Sequence, residues 1–297
     1  MPRRIKAFAL SVFMCTACAA MAAGFCARAE TATDGDARQT TVQAMFFNVG
    51  KADCALLALG DARYLVDTGS KDSADAMLRA LAYYGVEKLD GVIITHTDKD
   101  HVGGLKALLK SDITVEKLYA PTFSVLEDDE HPVVKQAEKR GIPLQRLNAG
   151  DAIPVSDTVR FAVLGPLSLD PAEENNNSLV LRLETHEGDM LLAGDMLEQE
   201  ESELLAAGVI GSAAVLKVGH HGARDASSEL FLYTVRPQVA VISTDPEEDD
   251  DTPAPQVIRR LWNIGADVLI THQASCCVLV TLDGGNAVGR LVDYPVE

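Results

Sequence analysis

The sequence predicts an α/β fold, and three observations predict it. Strand-type and helix-type hydrophobic patterns alternate along the chain from about residue 42 to residue 292. Val92-Ile93-Ile94, followed by Thr95, is a short β-branched run of the kind that forms a strand buried on both faces. No linker rich in Pro, Gly or Ser divides residues 41–297, and a chain that is 47% hydrophobic can bury one large core.

The elements follow in order. Strands are expected at 42–49, 54–59 and 64–67. A helix is expected at 73–84, with Met77, Leu78, Leu81 and Tyr84 on one face and Gly85 as its stop. After the 92–95 strand, a second helix is expected from about 103 to 110. Strands at 116–119, 144–147, 159–164, 179–184 and 190–193 are interleaved with helices at 133–140 and 198–205. The last third reads as strand 215–218, helix 228–235, strand 239–243, helix 255–262, and strands 268–271, 278–282 and 288–292. The acidic stretches 127–130 and 247–251 read as solvated loops.

Charge and the amino terminus narrow the function classes. The 297 residues carry 26 basic and 44 acidic side chains, net −18, which excludes a basic module that grips nucleic acid by counterion release. Residues 1–29 read as an export signal: Arg3, Arg4 and Lys6 precede an uncharged stretch from 7 to 27, and Ala27-Arg28-Ala29 fits a signal peptidase. An uncleaved membrane anchor and a lipoprotein acylated at Cys18 or Cys26 are the alternatives. Residues 30–40 form a flexible lead-in, and 41–297 the single domain of an exported protein. Cleavage removes Arg3, Arg4, Lys6 and Arg28 and no acid, deepening the net charge from −18 to −22. It leaves Cys54, Cys276 and Cys277, which are not a disulfide framework; the adjacent pair reads as structural thiols of a buried strand.

The chemistry concentrates at strand ends. The run His96-Thr97-Asp98-Lys99-Asp100-His101 sits just after the buried 92–95 strand and just before a helix, at the crevice where α/β folds place ligands. Two imidazoles and two carboxylates in six residues repel or lie unsatisfied unless a cation organises them. The run 215–222 repeats the design, an apolar strand ending in Gly219-His220-His221-Gly222, and Leu191-Leu192-Ala193 ends in Gly194-Asp195. His131, His186 and His272 have no such company and read as surface or packed histidines.

Taken together, HxDxDHxGG at 96–104, NNNSLVLRL at 175–183, LLAGD at 191–195 and LKVGHHG at 216–222 resemble the metallo-β-lactamase superfamily. They are most similar to the hydrolase domain of ComEC-type DNA-uptake competence proteins. FFNVGKADCALL at 46–57 and VDTGS at 66–70 resemble that group's opening, and the resemblance covers about residues 42–290. It implies a four-layer αββα sandwich with a metal centre at one edge of its two sheets. Carried over by position, His96 and Asp98 serve a first metal, and Asp100 and His101 a second. Asp195 bridges them, and His220 or His221 completes the second site, with His220 favoured as the residue nearer the strand end. Asp67 orients the loop through hydrogen bonds. The implied cofactor is Zn²⁺, one ion or two. Asp98 stands where superfamily members usually have His, and 174–177 holds Glu-Asn-Asn-Asn where another His is usual, so Mn²⁺ is an alternative. Asn48, Lys51, Ala52, Ala223 and Thr252 also depart from the group's common residues, all near the expected substrate mouth.

The implied activity is hydrolysis by metal-activated water at a phosphorus or carbonyl centre. Asp100 and Asp195 are the catalytic candidates, and Lys217, Arg224, Ser227 and Ser228 are candidates to hold an anionic group. The leading expectation is a phosphodiesterase or nuclease acting on small or short phosphoesters, with weak nucleic-acid binding and membrane association only through an uncleaved anchor. A lactone or β-lactam hydrolase and a non-catalytic envelope binding module are the competing readings.

Overall fold

The protein is described by a computed structural model covering residues 42–296. The expected export signal and lead-in lie outside the described residues, as do Cys15, Cys18 and Cys26.

Burial with a period of two sets the layering. In β1 (Val42–Phe47), Val42, Ala44 and Phe46 face one core, while Met45 and Phe47 face another. β2 (Ala55–Leu59) and β3 (Ala62–Val66) alternate in the same way, with Leu57 and Val66 on the first side and Leu56 and Leu65 on the second. Strands apolar on both faces need cover on both. The first half continues with α1 (Ala74–Tyr83), β4 (Lys88–Leu89), β5 (Gly91–Ile93), α2 (Lys99–Val102), α3 (Leu105–Leu108), β6 (Thr114–Val115), β7 (Leu118–Pro121), α4 (Pro132–Arg140) and β8 (Leu144–Leu147). The second half comprises β9 (Ala152–Pro154), β10 (Arg160–Gly165), β11 (Val180–Glu184), β12 (Met190–Leu192), α5 (Glu198–Ala206), β13 (Val215–Lys217), α6 (Glu229–Val235), β14 (Val239–Ile242), α7 (Pro255–Asn263), β15 (Asp267–Ile270), β16 (Cys277–Asp283) and β17 (Asn286–Val292).

Two sheets result. One has eight strands in the order β17-β16-β1-β2-β3-β5-β7-β8, the other seven in the order β15-β14-β13-β12-β11-β10-β9; β4 and β6 pair separately. A core containing Phe46, Leu57, Phe161, Leu181 and Val241 lies between the sheets. A second, with Met77, Leu105 and Val133, joins α1, α3 and α4 to the outer face of the eight-stranded sheet. A third, with Leu204, Phe231 and Leu261, joins α5, α6 and α7 to the seven-stranded sheet. Helices, sheet, sheet, helices is the four-layer αββα sandwich that the family resemblance implies. Strands β3, β5, β7 and β8 run parallel in one sheet, as do β12, β13, β14 and β15 in the other, so loops at their carboxyl ends meet at one edge.

The expected 103–110 helix is instead two short ones, and α2 begins at Lys99, inside the histidine cluster. A Cβ at Gly103 would meet Lys71 N at 2.5 Å, and one at Gly104 would meet Thr68 O at 2.1 Å. The backbone there packs against the 68–71 loop too closely for any side chain. Cys54, Cys276 and Cys277 are free and buried, and Cys277 Sγ lies 3.0 Å from Tyr84 Oη.

Candidate metal centre

Four strand ends supply the site. β5 delivers Thr95, His96 and the turn into α2 that carries Asp98, Asp100 and His101; β3 delivers Asp67, β12 Asp195 and β13 the His220–His221 pair. His96, His101 and His221 are fully buried, and Asp195 nearly so. His101 Nε2 lies 3.1 Å from Asp195 Oδ2. His221 Nε2 lies 3.2 Å from the same oxygen and 3.3 Å from Asp100 Oδ2. The ring centroids of His96 and His101 are 4.1 Å apart, and those of His101 and His221 5.4 Å.

The opposite edge of each ring is committed. His101 Nδ1–H donates to Asp67 Oδ2 at 2.8 Å. His221 Nδ1–H donates to the Ser243 carbonyl at 2.7 Å. His96 Nδ1 faces Thr95 Oγ1 at 3.1 Å and Ser178 Oγ at 3.2 Å. A ring that donates from Nδ1 carries its lone pair on Nε2, the tautomer a metal needs. Among the described residues, the Nε2 atoms of all three and Asp195 Oδ1 are buried without an aligned hydrogen bond. Buried polar atoms are seldom left so, and a divalent cation would satisfy them together.

Ligand-type atoms of His96, His101 and Asp195 lie within 4.8 Å of one another, and so do those of Asp100, His101 and His221. The two groupings overlap at His101, whose single free lone pair on Nε2 can serve one ion. Asp98 is at the rim: its side chain is half exposed, with Oδ2 3.8 Å from His96 Nε2. Burial opposes a charge on His221, but Asp195, with hydrogen bonds to Asp100 and Asp195, pushes it up to about 9. Burial likewise opposes a charge on His101, and Asp195 and Asp67 raise it well above 6.5. Burial, helped by His101, holds His96 well below that value. Without a cation, protons on His101 and His221 balance the carboxylates; a metal would replace those protons.

The pair after β13 is divided, which corrects the preference for His220. His221 faces the carboxylates, whereas His220 turns outward and pairs with Asp225 Oδ1 at 2.9 Å. Both residues occupy left-handed backbone, φ 48° and 54°, so consecutive side chains diverge. Three of the four anion-holding candidates are also corrected. Lys217 is buried, with its ammonium bound to Asp53, to the Gly194 carbonyl at 3.2 Å, and 3.8 Å from Asp195 Oδ1; it neutralises the site from beneath and cannot reach a substrate. Ser227 is fully buried and its N–H binds Glu201. Ser228 caps α6 by accepting from Phe231 N–H at 3.3 Å. Arg224 is exposed and forms no ion pair among the described residues.

Some participants lie inside the quoted motifs, but their roles are not legible there. Asp53 faces Lys217, and Ser178 ties His96 to the Asp195 N–H, which donates to it at 3.1 Å. Glu174, ahead of the SLVL strand, does not turn to the histidines. Its carboxylate accepts from Thr97 Oγ1 and N–H, Ser124 Oγ and Val125 N–H, and so clamps the loop that carries His96 and Asp98. Lys51 stands at the mouth, its ammonium 3.8 Å from Asp100 and 3.6 Å from Asp249.

The chain is similar to known proteins in sequence and in fold. The sequence profile of the metallo-beta-lactamase superfamily matches residues 48–245. ComE operon protein 3 of Bacillus subtilis is 35% identical over 211 residues, covering 71% of this chain and 26% of that protein. Competence protein ComA of Neisseria gonorrhoeae is 28% identical over 252 residues, covering 84% of this chain and 33% of that protein. The chain thus spans between a quarter and a third of the length of these relatives. In overall fold it is similar to the metallo-beta-lactamase fold protein YhfI of Bacillus subtilis (TM-score 0.53, 14% identity, 85% of this chain and 100% of that one). It is also similar to CmlA, a diiron beta-hydroxylase from Streptomyces venezuelae (TM-score 0.57, 14% identity, 84% of this chain and 55% of that one).

Proposed function

The chain belongs to the metallo-beta-lactamase superfamily, and on that premise we propose that it is an exported metal-dependent hydrolase of phosphodiester bonds in small or short substrates. One observation carries the reading: three imidazole Nε2 atoms and a carboxylate oxygen converge, buried and without aligned hydrogen bonds, at an edge fed by both sheets. The residues present fit one or two divalent ions. His96, His101, His221, Asp100 and Asp195 would hold them, with Asp98 joining from the rim. The donor set mixes nitrogen and oxygen, which suits Zn²⁺, and its shortage of nitrogen beside His96 also suits Mn²⁺. Such an ion supplies Lewis acidity and a lowered pKa for water.

The chain's own groups do the rest. Asp67, Ser243, Thr95 and Ser178 fix the tautomers and ring angles of the three histidines. Lys217 offsets part of the carboxylate charge from the buried side. Asp100, partly open at the mouth, is placed to accept a proton from attacking water. Lys51 beside it presents a positive charge to a non-bridging phosphate oxygen. One relative has a printed name that refers to competence, which supports a phosphodiester over a lactam.

Metal analysis of the purified chain, paired with turnover of bis-p-nitrophenyl phosphate and nitrocefin, tests this. The expected result is bound metal and phosphodiester turnover, both lost in His221→Ala and Asp195→Ala and kept in His220→Ala. Equal metal content in all three variants would sink the site assignment. Turnover of nitrocefin alone would favour the β-lactam reading, and metal without any turnover the binding module.

A further inference from the structure

The mouth of the histidine centre holds a carboxylate of the chain's own. The turn 48–52, which leaves β1, meets the loop that follows β14, where six of the seven residues 245–251 are Asp or Glu. The Glu248 carboxylate lies against the turn, and its Oε2 accepts from the Lys51 N–H at 2.8 Å. A Cβ on Gly50 would meet both Glu248 oxygens at 2.6 Å, and Gly50 has φ 77°, so only glycine leaves that place open. The Lys51 ammonium lies 3.6 Å from Asp249 Oδ2 and 3.8 Å from Asp100 Oδ2. One residue therefore offers an N–H and a cation at the rim, and its cation reaches a candidate metal ligand.

The turn is braced independently of that loop. Asn48 Nδ2 donates to the Ala274 carbonyl at 2.8 Å. The Asp53 N–H donates to the Asp100 carbonyl at 3.1 Å, which ties the turn to α2. The acidic loop likewise closes on itself: the N–H groups of Glu248 and Asp249 both donate to the Asp245 carbonyl, at 3.0 and 3.1 Å. Each segment thus has its own backbone support. Glu248 is exposed, and its side chain adds negative charge where an anionic substrate must enter. A carboxylate and a phosphate present the same chemistry to an N–H and an ammonium, charged oxygens that accept hydrogen bonds. A place that holds one fits the other.

We propose that Glu248 stands in for a substrate phosphate, and that Gly50 and Lys51 form a subsite for a second phosphate, beside the one whose ester bond is broken at the histidine centre. That role rests on the phosphodiester reading and narrows its substrate class to short chains that carry a phosphate next to the scissile one. When such a substrate enters, its second phosphate displaces Glu248 from the Lys51 N–H. The ammonium, released by Asp249, then serves both phosphates. An ester with one phosphate leaves the acidic loop in place, meets its charge and binds more weakly.

Inorganic phosphate titrated into the metal-loaded chain, followed by the amide resonance of Lys51, tests the subsite without any turnover. Phosphate should shift that resonance saturably. Glu248→Gln, which keeps the shape and removes the charge, should tighten the binding about fivefold. Gly50→Ala should abolish it; Glu248 is exposed, so Glu248→Gln folds and decides even where Gly50→Ala does not. A response confined to the histidine centre overturns the proposal, as does equal phosphate affinity at Lys51 in Glu248→Gln and wild type. In parallel, turnover of the thymidine dinucleotide TpT is compared with that of pTpTp, which carries a further phosphate at each end. KM should be lower for pTpTp, and Glu248→Gln should lower it more for pTpTp than for TpT; equal effects on the two overturn the proposal. A chain that turns over neither, yet binds phosphate at Lys51 more tightly in Glu248→Gln, keeps the subsite and loses the phosphodiester reading.

Discussion

Asp67 adopts φ 59°, a left-handed conformation that costs a non-glycine residue about 1–3 kcal/mol. The strain persists because its carboxylate is fully used, with Oδ1 on the Thr95 N–H and Oδ2 on Thr95 Oγ1 and His101 Nδ1, each at 2.8 Å. Asp67→Asn keeps the shape but loses the charge that orients His101. Metal affinity is expected to fall about 10–100-fold with the fold intact, read by competition with a chelator and by circular dichroism. Lys51→Met is expected to raise KM several-fold for an anionic phosphodiester while leaving a neutral ester unchanged; equal effects on both would remove Lys51 from substrate recognition. At this scale the sequence shows which residues cluster but not which way they point. His220 and His221 are adjacent and chemically identical, and only the local backbone separates ligand from outward-facing residue. Lys217 looked like an anion holder because its partner Asp53 is far away in the chain and becomes visible only after folding.

At the scale of elements, α4 carries an acid-sensitive cap. His131 is fully buried and its Nδ1 accepts from the Val133 N–H at 3.3 Å. Burial, with Arg146 adding to it, pushes this histidine down from 6.5 to about 4. The unfolded chain therefore takes up the proton first as pH falls. Its contribution to stability is complete above pH 6.5 and is lost as pH drops from 6.5 through about 4. His131→Asn keeps a capping acceptor and removes the titration, so urea unfolding across that window should show a flatter acid loss. Parallel curves for variant and wild type would exclude His131 as the cause. The long strands and helices were legible because their apolar periods are long. β4 and β6, each two residues, are too short to carry a period, and the two-helix break after Lys99 depends on the packing of Gly103 and Gly104 against another loop.

Across the whole molecule, charge decides how substrates arrive. The chain carries −18 overall, and the Lys51 cation at the mouth is itself held by Asp249. Added salt should screen long-range repulsion more than the short-range contact, since the Debye length falls to about 10 Å at 0.1 M. KM for an anionic phosphodiester is therefore expected to fall or stay level as salt rises from about 10 to 100 mM. A steep rise, the behaviour of a basic nuclease, would contradict this. Alternation pointed to an α/β fold and the family resemblance implied its four layers, but the closure of the eight-stranded sheet was not foreseeable. Its interior strand β1 pairs on one side with β2 and on the other with β16, more distant in sequence. A ribosome must therefore translate as far as Cys277–Asp283 before Val42–Phe47 finds its second neighbour. Until then a six-residue strand with apolar side chains on both faces keeps an open edge. The nascent protein is obliged to wait, and any shortage of helpers during that wait would show as aggregation seeded by its first strand rather than by its chemistry.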